Sequence, residues 1–175
     1  MSGNYFEAFD LPRKLAIDPK DLEKRFYSLS RQLHPDLRRT PSERAEAEEA
    51  MAILNDAYRV LRDPVARSEY LLKLEGFDTA QTSKDVPPEL LEEVFELNMA
   101  LEELQAGDTD VLEQLESTRQ RFEGMRSELD TELRQKFNDW DSAGRTEDLA
   151  AVRSLLNRRK YIANLIVKTN VPDRI

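Results

Sequence analysis

The sequence predicts an all-α protein in two helical parts, and three observations carry that reading. Apolar residues recur at steps of three and four in segment after segment, while the period-2 alternation of a half-buried strand is absent. Helix starts are written out as Asp18-Pro19, Thr40-Pro41 and Asp63-Pro64. Each puts a side-chain acceptor at the N-cap and proline at the first helical position, where its missing N–H is no loss. The composition agrees: of 175 residues, 39% are apolar and 35% charged, only five are glycine, and mean hydropathy is −0.67.

Taken in order, Tyr5, Phe6, Phe9 and Leu11 suit a short helical turn. A helix of about Pro19 to Leu33 follows, with Leu22, Phe26, Leu29 and Leu33 facing inward. Thr40 and Glu43 form a possible capping box for a helix from Pro41 to about Arg62, whose stripe is Ala47, Met51, Leu54, Tyr58 and Leu61. These two helices should pack as an antiparallel hairpin with the first turn lying across it. Val65, Tyr70, Leu71, Leu72 and Leu74 suit a short fourth helix stopped by Gly76. Residues 1–76 thus make one domain. Residues 77–86, with no large apolar side chain from Asp78 to Asp85 and with Pro87-Pro88 next, read as a linker.

Residues 87–175 read as a three-helix antiparallel bundle: about Pro88 to Ala106, closed by Gly107; about Thr109 to Trp140, ending near Gly144; and Thr146 to about Lys168. The middle helix offers Leu112, Leu115, Phe122, Met125, Leu129, Leu133, Phe137 and Trp140 to the core, the last Leu149, Val152, Leu156, Ile162 and Ile166. On the first, Leu90, Val94, Leu97, Leu101 and Leu104 fall within about 80° of one another at about 100° per residue and form the bundle seam. Leu91, Phe95 and Met99 form a second stripe, flanked by Glu92, Glu96 and Glu103. That stripe is either an exposed patch rimmed by carboxylates, as at protein interaction sites, or a contact with the third helix.

Composition also excludes. With no cysteine there is no disulfide framework, thiolate zinc site or Cys nucleophile, and no run approaches the ~18 apolar residues of a membrane span. Met1 to Glu7 has neither a basic leader nor an apolar segment, so the expected location is cytoplasmic, without a membrane partner. A net charge of −9 argues against nucleic acid. The average hides an asymmetry: Pro12 to Arg39 carries eight basic residues against four acidic, a net of +4, whereas Asp85 to Asp110 carries nine acidic residues and no Lys or Arg. The two halves look built for different partners.

Between the two long N-terminal helices lies Leu33-His34-Pro35-Asp36-Leu37-Arg38-Arg39, with the one histidine of the chain. Pro35 fixes its own φ and pushes His34 out of the helical region, so the turn presents His34 and Asp36 stiffly at the surface. Local chemistry alone also allows that His34 neutralises a helix C-terminus and Asp36 makes a turn. An enzyme would need a nucleophile, a metal site or a second acid/base group, and the sequence has no paired ligand spacing and no phosphate loop; the protein is read as non-enzymatic, with no catalytic residues, no cofactor and no metal.

His-Pro-Asp between antiparallel helices, the first basic on its outer face, resembles a J-domain. Asn4-Tyr5-Phe6-Glu7-Ala8-Phe9-Asp10-Leu11-Pro12, Asn55-Asp56-Ala57-Tyr58 and Ser68-Glu69-Tyr70-Leu71-Leu72-Lys73-Leu74-Glu75-Gly76 extend the likeness. With the acidic C-terminal bundle, nearly the whole chain is similar to the HscB family of iron–sulfur co-chaperones. The resemblance implies that His34, Pro35 and Asp36 dock on a DnaK- or HscA-type chaperone and stimulate its ATPase. Lys24, Arg25, Ser28 and Arg31, on the face away from the core, would steer an acidic patch of that partner into register. Leu37 stands where many relatives have Lys, leaving Arg38 and Arg39 to supply that charge. The resemblance also implies that Leu91, Phe95, Glu96, Met99 and Glu103 bind the iron–sulfur scaffold protein IscU. Glu92 stands where an apolar residue is frequent and Asn157 where an aromatic occurs, with Tyr161 able to compensate. The chain is read as a monomer. A J-domain protein with another client, and a helical interaction protein outside the chaperone system, stay open as alternatives.

Overall fold

The computed structural model describes residues 3–78 and 86–170. Among them are seven α-helices and no strand: α1 Tyr5–Ala8, α2 Pro19–Leu33, α3 Pro41–Arg62, α4 Pro64–Leu74, α5 Leu91–Gln105, α6 Leu112–Ala143 and α7 Thr146–Thr169, with 3-10 turns at Pro35–Leu37 and Pro88–Leu90. The chain falls into two compact units. The first joins Met1–Thr79 to Phe137–Leu149, the second Ala80–Lys136 to Ala150–Ile175. Most of the segment read as a linker, residues 79–85, lies outside the described residues.

Helix starts follow the cap residues. Asp18 accepts the Lys20 N–H at 2.9 Å and Asp63 the Ala66 N–H at 2.8 Å, each ahead of a proline. At α3 the capping box closes both ways: Glu43 N–H donates to Thr40 Oγ1 at 3.2 Å, and Thr40 N–H donates to Glu43 Oε2 at 3.0 Å. The Thr40 and Arg39 N–H groups, together with the Thr40 hydroxyl, hold the Glu43 carboxyl below its ordinary pKa, because they bond its charged form. The helix ends are equally local. Gly76 sits at φ +80°, where the Phe77 N–H reaches the Leu72 carbonyl and the Gly76 N–H that of Lys73, and Gly107 at φ +98° repeats the pattern.

In the first unit Phe6, Phe9, Leu15, Leu22, Leu54, Leu61, Leu71 and Leu72 are buried, and Phe26 stacks on Tyr58 at 4.3 Å between α2 and α3. Each large side chain removed from water contributes about 1.5–3 kcal/mol. The stretch joining α1 to α2 is held by polar anchors. Arg25 donates to the carbonyls of Phe9 and Asp10, both at 3.1 Å, where Asp10 takes a left-handed φ of 52°. Asp141 accepts the N–H groups of Leu15 and Ala16, both at 2.8 Å. Buried Arg67 donates to the carbonyls of Leu15 and Leu61. Burial pulls its pKa down, against the opposing charges of Asp63 and Asp141.

The second unit packs α5, α6 and α7 around Leu90, Leu97, Ala100, Val111, Leu115, Phe122, Leu129, Ile162, Leu165 and Ile166, with Val94, Leu101 and Leu104 partly buried against them. Leu112, expected in this row, is exposed. The inward register runs Val111, Leu115, Thr118, Phe122, and Leu112 lies about 100° off it. The expected helix from Pro88 divides into a 3-10 turn and α5.

Candidate functional site

The loop after α2 is built by three consecutive residues. His34 leaves the helix at φ −59°, ψ 128°, as a residue before proline must. Its carbonyl accepts the Leu37 N–H at 3.1 Å, and its Nδ1 accepts the Asp36 N–H at 3.2 Å. The side chains of His34 and Asp36 are 55% and 89% exposed, so a stiff backbone offers both to a partner.

Beside this loop, Lys24, Tyr27, Ser28, Arg31 and Gln32 line a shallow groove of about 490 Å³ on α2. Lys24, Ser28 and Arg31 are exposed there, as a steering face requires. Two of the other expected charges serve the fold: Arg25 is taken up by Asp21 at 2.9 Å and by the two carbonyls after α1, and Arg38 donates to the Gln32 carbonyl at 2.8 Å near the C-terminal end of α2. Leu37, in the turn where many relatives carry Lys, is exposed, and so is Tyr27, which the sequence reading does not single out. Their off-core positions on α2 and in the turn were the available signal.

On α5, Leu91, Phe95 and Met99 are 55%, 66% and 45% exposed, while Leu97 two residues past Phe95 is 1% exposed. The stripe therefore faces outward and is not spent on α7. Glu92 and Glu103 stand exposed beside it, without a cationic partner among the described residues. Glu96 is engaged across the bundle: Arg121 of α6 donates to its Oε2 at 3.2 Å. Near the start of α5, Arg158 of α7 pairs with Glu89. Neither arginine was legible as a border of the strip, since each lies far from α5 in sequence. Asn157 and Tyr161 are partly buried; Tyr161 packs against the bundle core, and burial raises its phenol pKa.

A rigid His-Pro-Asp turn between antiparallel helices defines a class, and the family comparison agrees: residues 4–70 match the model described as the DnaJ domain, so the N-terminal part is a J-domain. Residues 86–170 match the model described as the HSCB C-terminal oligomerisation domain. The co-chaperone protein HscB homolog of Vibrio vulnificus strain YJ016 is 35% identical over 91% of this chain and 96% of its own length. That of Azoarcus sp. strain BH72 is 38% identical over 66% of this chain and 67% of its own. Among solved structures, chaperone HscB from Vibrio cholerae superposes with a TM-score of 0.66 at 28% identity, covering 95% of each chain. Human co-chaperone protein HscB gives 0.65 at 26% identity, covering 96% of this chain and 81% of the human one. The chain belongs to the HscB family of J-domain co-chaperones.

Proposed function

We propose that this co-chaperone stimulates the ATPase of a DnaK- or HscA-type chaperone through His34, Pro35, Asp36 and the α2 face of Lys24, Ser28 and Arg31, and delivers the iron–sulfur scaffold protein IscU through α5. In this reading 1–76 is the chaperone-docking domain and 87–175 the scaffold-binding one. The observation that carries it is the exposed Leu91, Phe95 and Met99 strip. α5 already buries a complete seam, so a second apolar stripe left in water fits a face kept for a partner. No bond is made or broken by this chain: ATP is hydrolysed by the partner, and the protein acts by bringing scaffold and chaperone to the same place, which raises their effective concentration. The basic α2 face serves mainly the rate of encounter, since exposed charges steer more than they hold. Among the described residues no helix is long and apolar enough to cross a membrane, and we infer a cytoplasmic site of action.

The test is steady-state ATP hydrolysis by the chaperone with this protein and the scaffold added separately and together. Synergistic stimulation that needs His34 is expected. Stimulation indifferent to the scaffold would keep the docking half and point to another client, whereas no stimulation would overturn the reading. The monomer reading is checked by sedimentation of the protein alone, which the oligomerisation named in its C-terminal family model makes necessary.

A further inference from the structure

We propose that Arg121 of α6 gates the charge of the client face by holding Glu96. The free protein then presents three available carboxylates, Glu92, Glu102 and Glu103, and a fourth, Glu96, that a basic client residue must win from Arg121. The inference rests on the client-face reading above and specifies how that face chooses its partner.

The argument begins with the geometry of α5. At about 100° per residue, Leu91, Phe95 and Met99 span about 80° with exposed Glu102 inside that span, Glu92 and Glu103 border the Met99 side, and Glu96 lies one step further round, towards α6. There the Arg121 guanidinium meets it at 3.2 Å, with side chains 49% and 45% exposed. A pair this open to water adds little to stability, so the fold does not explain it well. It is also open to exchange, because a cation arriving from outside can replace Arg121 without passing through a packed core. The carboxylates that remain free point to an occupant with an apolar knob flanked by Lys or Arg. Arg121 makes the Glu96 carboxylate conditional. A merely basic protein meets a weaker field, while a client that seats its knob on Phe95 can place a cation well enough to displace Arg121. The pair thus works against the wrong partners and also shortens the residence of the right one.

The experiment is calorimetric titration of the full chain with the scaffold IscU at low and moderate salt. Melting curves verify that each variant folds, as expected for half-exposed sites. Arg121→Gln should bind about threefold tighter, the scale of a surface ion pair, with a steeper salt dependence. Arg121→Lys should bind like the unaltered chain. In a Glu96→Gln background the gain from Arg121→Gln should vanish, since no carboxylate is left to release. Weaker or unchanged binding by Arg121→Gln overturns the proposal. So does a gain that survives Glu96→Gln, which would make Arg121 a general repulsive charge. Phe95→Ala in parallel keeps the two claims apart: if it binds normally, the client face is misplaced whatever Arg121 does, and a scaffold that does not bind the unaltered chain overturns both.

Discussion

The His34 turn and the α5 strip are both exposed recognition surfaces, yet they are made in opposite ways. The turn is local: a proline, a histidine that accepts a backbone N–H two residues on, and a 3-10 turn closed within five residues place every group that matters. The strip is what is left after packing. Helical spacing separates Leu91, Phe95 and Met99 from Leu90, Leu97 and Leu101, but only the packing of α6 and α7 decides which set is covered. A site written in consecutive residues should thus fail without unfolding anything, and a site defined by leftover surface should be separable from the core only by burial.

The largest expected effect tests the local site. His34→Gln should lower chaperone stimulation at least roughly tenfold, the loss expected of a central interface residue, and leave scaffold binding untouched. A parallel loss in both assays would break the separation. The strip is sharpened by two truncations on one helix. Leu97→Ala, which empties a site 1% exposed, should destabilise the second unit by about 2–5 kcal/mol in urea denaturation. Phe95→Ala, at 66% exposed, should leave the unfolding midpoint unchanged and weaken scaffold binding by about 1–3 kcal/mol. If Phe95→Ala melts the bundle instead, the strip is core.

The smallest effects concern the helix start next to the turn. Thr40→Ala should cost about 1 kcal/mol of stability through loss of the α3 cap. Glu43 adds a pH signature. Its pKa is lower in the folded state, so its contribution is full above the ordinary value of 4.5 and fades as the pH falls through the folded one. The difference in melting temperature between the unaltered chain and Glu43→Gln should therefore be constant at neutral pH and narrow as the pH falls below the ordinary value of 4.5.

Most of the fold was legible because its punctuation is local. The limits of α2 and α3 coincide with Asp18-Pro19, His34-Pro35 and Thr40-Pro41, and α4 and α5 stop where Gly76 and Gly107 take positive φ. Where the reading slipped, the information was not local. Leu112 falls one residue after Val111, which opens the inward row and takes the buried place. Arg25 and Arg38, read as docking charges, also bond carbonyls of the same unit, contacts that the sequence does not display.

Caps, prolines and apolar periodicity act over a few residues, and they set the all-α class, the order of the helices, the stiff His34-Pro35-Asp36 turn and the two candidate faces. Packing leaves Leu91, Phe95 and Met99 in water, sets Arg121 against Glu96, and braces the stretch before α2 with Asp141 and Arg67. Burial and ion pairing depend on which helix covers which face, and residues 25 or 126 positions apart meet only once the chain has packed.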